Sequence, residues 1–196
     1  IEGLKVRITA KATTQAEVDI KLADEEARVR VIIGDEVIFG TDDDTMESVV
    51  VGLCRDQGLK LGLAESLTGG LIGQRITSHP GVSDVFQGSI VSYADSVKND
   101  VLGIAGVPAI SEEGAAAMAE GAARVLGAEC SVAVTGVAGP TEAGGYKVGT
   151  VFMATHVDGV TEVLMVEWPF DRKRTREFTT ITVLNQLRKR LLARST

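Results

Sequence analysis

From residue 59 to residue 193 short apolar runs alternate with longer stretches whose apolar residues recur every three or four positions. Periods of two and of 3.6 taking turns along a chain argue for helices layered on a central sheet. The pattern predicts strands over 59–65, 87–92, 130–135, 148–155 and 160–168. It predicts helices over 46–57 ("MESVVVGLCRDQ"), 70–78, 95–102, 111–126 and 172–193. The last two strands flank "HVDGV", where Asp158 and Gly159 are a strong hairpin signal, so part of the sheet is expected to be antiparallel. The expected fold class is therefore α/β, a three-layer α/β/α sandwich with a mixed sheet, and a pure Rossmann fold is disfavoured.

Residues 1–44 read differently. In "LKVRITAKA" Leu4, Val6, Ile8 and Ala10 alternate with Lys5, Arg7, Thr9 and Lys11, the period of a half-buried strand. "TTQAEVDIKLADEEARVRVII" follows as an amphipathic helix stopped by Gly34, and "EVIFG" as a short strand, giving a small β-α-β segment. The acidic "TDDDT" at 41–45 suits the positive end of the helix that comes next and places a boundary near residue 44. Two domains are expected, 1–44 and 45–196. A lone strand-helix-strand unit buries little surface, so it is expected to pack on the main domain or a second subunit.

The charge bounds the partners. The 196 residues carry a net charge of -7 and a pI near 4.9, which disfavours binding to duplex DNA, because a DNA binder neutralises phosphates with a basic face. A nucleotide partner should be small. Aromatic residues are 4% of the chain and glycines number 22, which suits close-packed layers better than a base-stacking platform. Cys54 and Cys130 are too few for a disulfide scaffold or a zinc site and lie in apolar patterns as core thiols. There is no signal peptide and no apolar run of about 18 residues, so a cytoplasmic location without membrane association is expected. The first residue is isoleucine, which suggests a piece of a longer chain.

Two glycine-rich turns follow two of the predicted strands. In "LKLGLAESLTGGLIGQRITSH" Ser66 stands at the carboxyl end of a strand, where ligands bind in sheets of this class. The amides of the helix beginning near Gly69 suit a phosphate or an oxyanion. Local sequence leaves a second reading open: Ser66 or Thr68 as a helix cap, with Gly69 and Gly70 permitting the turn. Neither a G-x-S-x-G elbow nor a Walker lysine is present. The second turn, "VTGVAGPTEAGGYKVGT", is long for a compact domain, and such loops are more often functional.

A serine nucleophile needs a base. His79 reads as a loop residue and His156 as the end of a strand remote from Ser66, which leaves lysine. A lysine serves as base where its surroundings lower its pKa from about 10.4 toward neutrality. Lys98, in "GSIVSYADSVKNDVLGI", lies next to the buried face of its predicted helix, and a solvated lysine is the alternative. "PFDRKRTREF" places Arg172, Lys173, Arg174 and Arg176 at a helix start, where cations oppose the helix dipole. Either they meet an anion or they are solvated.

Taken together, "AESLTGGLIGQRIT", "GSIVSYADSVKNDVLGI", "ISEEGAAAMAEGA", "VTGVAGP" and "VGTVF", in this order, resemble the C-terminal domain of CinA proteins and the nicotinamide-nucleotide amidohydrolase (PncC) family over residues 45–194. Residues before 45 are similar to the small KH-like domain that precedes it in full-length members. The resemblance implies hydrolysis of the carboxamide of nicotinamide mononucleotide to nicotinic acid mononucleotide and ammonia. It implies a metal-independent reaction without cofactor and self-association, a dimer being favoured. By motif, it implies Ser66 as nucleophile, Lys98 and Tyr93 as its partners, and Thr68, Gly69, Gly70, Thr135, Gly136, Gly139, Arg172 and Arg176 as binding residues. The oxyanion is expected on amides near Thr68–Gly70, with Thr68 capping the helix. Leu67 stands where the family commonly has cysteine, and Lys147 where it commonly has proline. The pyrophosphatase activity attributed to the N-terminal molybdopterin-binding-like domain of full-length members is not expected of this stretch. Two other classes remain: a non-catalytic nucleotide-binding or regulatory module, and a structural assembly domain.

Overall fold

The computed structural model describes residues 3–194, the side chain of Asp35 excepted. These fall into two compact units, residues 3–45 and 46–194.

In the smaller unit one helix forms, α1 (Gln15–Ile33). Its start is a capping box: the Thr14 hydroxyl accepts from the Glu17 amide and the Glu17 carboxylate accepts from the Thr14 amide. The Gly34 amide closes its end on the Arg30 carbonyl. The two predicted flanking strands do not form. Among the described residues, 4–12 join no β-ladder, although Lys21 Nζ donates to the Lys11 carbonyl at 3.1 Å, and Asp35–Val37 make a single 3-10 turn. Alternation alone makes no strand, since a strand exists only against a ladder partner, and Leu4 is 99% exposed with nothing packed on it.

The larger unit follows the expected order: α2 (Met46–Asp56), β1 (Leu61–Glu65), α3 (Leu71–Thr77), β2 (Phe86–Val91), α4 (Asp95–Leu102), α5 (Glu112–Leu126), β3 (Cys130–Gly136), β4 (Thr150–Val157), β5 (Val160–Glu167) and α6 (Arg172–Arg194). The sheet order is β2-β1-β3-β4-β5. Its first three strands are parallel, with Ala64 opposite both Ile90 and Ala133, while β3-β4 and β4-β5 are antiparallel. The mixed sheet is thus as the hairpin signal required.

Helices cover both faces. On one face α5 lays Ala115, Met118, Ala119 and Ala122 against Ala64, Ala133, Phe152 and Ala154, and α4 adds Leu102. Small side chains meeting small side chains let the helix sit close to the strands. A Cβ at Gly121 would lie 2.5 Å from the Leu102 carbonyl oxygen, and one at Gly114 would strike the Pro108 carbonyl. Those two glycines bring the end of α4 and the 108–110 segment up to α5. The opposite face is larger and aliphatic, with Val183, Leu184, Leu187 and Leu191 of α6 and Val50 and Val51 of α2 in the core. Cys54 and Cys130 are both fully buried, with Sγ atoms 3.7 Å apart, as core thiols should be. The hydrogen bond with the neighbouring Cys54 thiol, and then burial, push the Cys130 thiol far above its ordinary range, so it stays protonated.

The turn after β1 is closed by a residue that the sequence reading passed over. Helix α3 starts at Gly70 in the left-handed conformation, with no side-chain cap of its own. Its orphan amides are taken by Glu65, the last residue of β1 and 0% exposed: Oε2 accepts from Ile72 N at 3.0 Å and Oε1 from Gly73 N at 2.9 Å. Ser89 of β2 donates to the same Oε1 at 2.8 Å. A carboxylate at a helix N-terminus meets both the free amides and the positive end of the dipole. Thr68 is therefore not the cap, and its buried hydroxyl makes no hydrogen bond.

Two stability outcomes are expected. Glu65→Gln sets an NH2 group against amide donors and should cost about 1–3 kcal/mol, read as a lowered urea midpoint. Gly121→Ala crowds α5 against the end of α4 and should cost a similar amount, about 1–3 kcal/mol, by the same measurement.

Candidate active site

The carboxyl ends of the three parallel strands meet at one edge of the sheet. The turn after β1 carries Ser66, the segment after β2 carries Tyr93, and β3 runs into Thr135 and Gly136. Ser66 continues the ladder by donating its amide to the Val134 carbonyl at 3.0 Å, which fixes the backbone at the point where the side chain leaves the sheet. A cavity of about 510 Å³ opens there, within the range of small-molecule sites. Ser66, Tyr93, Lys98, Thr135, Gly136 and Arg172 all line it. Among the expected residues Thr68, Gly69, Gly70, Gly139 and Arg176 do not.

Ser66 is half-buried, and its hydroxyl makes no hydrogen bond to any described residue. Lys98 is 3% exposed, which removes the solvated alternative and puts the residue deeper than the apolar pattern of α4 suggested. Its Nζ donates to the Tyr93 carbonyl at 3.2 Å and to Asp95 Oδ1 at 3.0 Å. Asp95 thus enters the site unforeseen, although its place three residues before Lys98 on a predicted helix is a readable ion-pair spacing. No hydrogen bond joins Lys98 to Ser66 among the described residues.

The walls come from loops pinned by hydrogen bonds. The Thr135 hydroxyl donates to the Ala109 carbonyl at 2.7 Å, so it holds the apolar wall of Pro108, Ala109 and Ile110 in place. Gly136 has φ 152, and a Cβ there would strike the Thr150 carbonyl, so the close approach of the paired strand β4 excludes any side chain. Residues 137–149 are tied at the base by Val137 N to Thr150 O (2.8 Å) and Gly149 N to Val137 O (2.7 Å). The edge-on contact of Tyr146 with Phe152 anchors the loop further along, the ring centroids being 5.2 Å apart.

The arginines divide. Phe170 stacks on Phe178 at 4.5 Å and on Trp168 at 5.8 Å, which fixes the entry to α6. The Asp171 carboxylate accepts from the Arg174 amide and offsets the cations in this first turn. Arg172 then reaches into the cavity, donating to Tyr93 Oη at 3.0 Å and to the Gly139 carbonyl at 2.9 Å. Arg176 instead donates through Nε and Nη2 to the Thr68 carbonyl, at 3.2 and 2.5 Å, and so braces the turn behind Ser66.

Neither histidine takes part. His156 exchanges a 2.8 Å hydrogen bond with Thr161 and His79 lies outside the cavity lining. No three His, Cys, Asp or Glu side chains cluster as a metal site needs, and no helix is long and apolar enough to cross a membrane, among the described residues.

Comparison with known proteins agrees with this architecture. Residues 43–191 match the family model described as the CinA C-terminal domain. A CinA-like protein of Frankia casuarinae is 40% identical over 192 residues, covering 95% of this chain and 44% of that protein. One of Geotalea daltonii is 39% identical, covering 97% and 47%. The chain thus spans a little under half the length of these relatives. Among solved structures, the competence or damage-inducible protein of Enterobacter asburiae superposes with a TM-score of 0.72 at 26% identity, over 74% of this chain and 96% of that one. The competence/damage inducible protein CihA of Agrobacterium tumefaciens gives 0.68 at 32% identity, over 76% and 96%. With residues 43–191 matched by the family model and relatives about 40% identical across at least 95% of it, the chain belongs to the CinA family through its C-terminal domain.

Proposed function

We propose that this cavity is an amidohydrolase site acting on the carboxamide of nicotinamide mononucleotide, releasing ammonia and nicotinic acid mononucleotide. One observation supports it above the others: a serine hydroxyl without an internal hydrogen bond and a buried lysine line the same cavity. A half-buried hydroxyl that no described residue holds is open to a substrate in that cavity.

In this reading Lys98 first gives up the proton it shares with Asp95 to solvent, and Ser66 Oγ then attacks the amide carbon while the freed amine takes its proton. Lys98 returns that proton to the nitrogen, which leaves as ammonia, and water then cleaves the acyl-serine by the reverse use of the same base. Attack requires Nζ to exchange Asp95 for Ser66 Oγ. The oxyanion falls to backbone amides of the turn. Gly69 N is committed to the Ser66 carbonyl at 3.0 Å, and the Leu67, Thr68 and Gly70 amides have no backbone acceptor among the described residues. The Leu67 amide is favoured among them, since Leu67 lines the cavity. Pro108, Ala109 and Ile110 offer an apolar wall to a pyridine ring, Tyr93 stands beside Lys98, and Arg172 supplies a cation for the phosphate.

The pairing of Lys98 with Asp95 favours a second reading, a nucleotide-binding module without turnover. Ammonia release from nicotinamide mononucleotide, with and without a chelator, separates the two. Ser66→Ala and Lys98→Ala should each lower the rate by about 10²–10⁴-fold while binding, read by calorimetry, survives. Wild-type binding without ammonia would establish the binding module; full activity in either variant would remove the serine-lysine mechanism.

A further inference from the structure

Arg172 lines the cavity with a guanidinium whose partners are neutral oxygens alone. Its guanidinium has five donors, and its partners in the chain are two neutral oxygens, Tyr93 Oη and Gly139 O. Among the described residues it has no carboxylate. The other cation of the cavity, Lys98, has Asp95, and Arg176 spends two donors on one carbonyl away from the lining. Tyr93, for its part, is 60% exposed, so little packing holds its ring and the bond from Arg172 is what fixes the phenol tip. The Tyr93 carbonyl in turn accepts from Lys98 Nζ. A continuous path therefore runs from the guanidinium through Tyr93 to the lysine.

We propose that Arg172 is a phosphate-operated latch: a phosphate dianion draws the guanidinium away from Tyr93 Oη, and the phenol so released becomes free to serve the reaction at Ser66. The inference rests on the amidohydrolase reading for its catalytic consequence, though not for the exchange of partners. Magnitudes favour the exchange, because a two-pronged bond from arginine to a phosphate dianion joins opposite charges, whereas its single bond to the phenol sets the cation against a neutral acceptor. The latch makes the phosphate more than a handle. A nicotinamide nucleoside has the same amide and lacks the dianion, so it is disfavoured in turnover as well as in binding.

Calorimetry with inorganic phosphite, a small dianion, tests the exchange. If phosphite must displace Tyr93, Tyr93→Phe removes the competitor and binding tightens about tenfold or more, the worth of one hydrogen bond with a charged partner. Arg172→Gln should abolish binding, with circular dichroism verifying its fold. Unchanged or weaker binding to Tyr93→Phe, or retained binding in Arg172→Gln, overturns the latch. Ammonia release tests the consequence. Wild-type enzyme should hydrolyse nicotinamide riboside at least about 100-fold less efficiently than the mononucleotide, mostly in kcat, and added phosphite should raise the riboside rate saturably. In Arg172→Gln the mononucleotide should fall to the riboside level without response to phosphite. A riboside hydrolysed as well as the mononucleotide, or one that phosphite only inhibits, also overturns the latch. If neither amide is hydrolysed, the amidohydrolase reading fails, and the phosphite calorimetry decides the latch alone.

Discussion

The parallel pairing of β1 with both β2 and β3 is the constraint from which the site follows. Three strands running the same way must end at the same edge, so whatever follows Glu65, Val91 and Gly136 is brought together without any contact between the turns having to specify it. Ser66 shows how tightly this works. It is the first residue beyond β1, yet its amide still bonds to Val134, so the serine is presented by sheet geometry rather than by a free loop. The antiparallel strands β4 and β5 contribute differently. They widen the sheet on the β3 side, and the connection out of β5, stiffened by Trp168, Phe170 and Phe178, delivers Arg172 to the same edge.

Small residues do the complementary work on one face. Alanine against alanine allows α5 to lie close to the sheet, and the glycines at 114 and 121 let it touch the backbone of neighbouring segments. Close packing of this kind is intolerant of an added methyl group, because the interior has no slack to absorb it. The 108–110 wall of the cavity is therefore positioned from behind by α5 and from the side by the Thr135 hydroxyl. Two independent restraints on one short segment keep an apolar wall rigid without burying it.

Regular elements were legible in the sequence because their signals are local. The strands around Leu63, Val132 and Phe152 and the helix capped by Ser111 and ended by Gly127 obey periodicity and punctuation that any window of a dozen residues contains. What escaped depends on contacts between distant segments. Glu65 looks like the polar end of a strand, and only the return of α3 and the approach of Ser89 turn it into a buried cap. Lys98 looks like the neighbour of an apolar stripe, yet it shares the buried face of α4 with Leu102, while Val101 of the expected stripe is 41% exposed. Arg172 and Arg176 are one turn apart in a single basic cluster; their different carbonyl partners, Gly139 and Thr68, separate a cavity residue from a brace. The opposite error arose at residues 4–12, where a clean alternation promised a strand that has no neighbour to pair with.

Electrostatics at the site run against those of the chain. A net charge of -7 repels an anionic ligand at long range, although ions screen that field beyond about 8–10 Å. Within the cavity the lining contributes two cations, Lys98 and Arg172, against one carboxylate, Asp95. The balance is more positive in effect than in number, because the Asp95 side chain is 79% exposed and its charge is spread into water, whereas the Lys98 side chain is buried and keeps its field inside. The acidity that argues against a DNA binder therefore says little about a small phosphate. A polymer of phosphates samples the whole surface; a single nucleotide samples one cavity, and there the local sign is reversed.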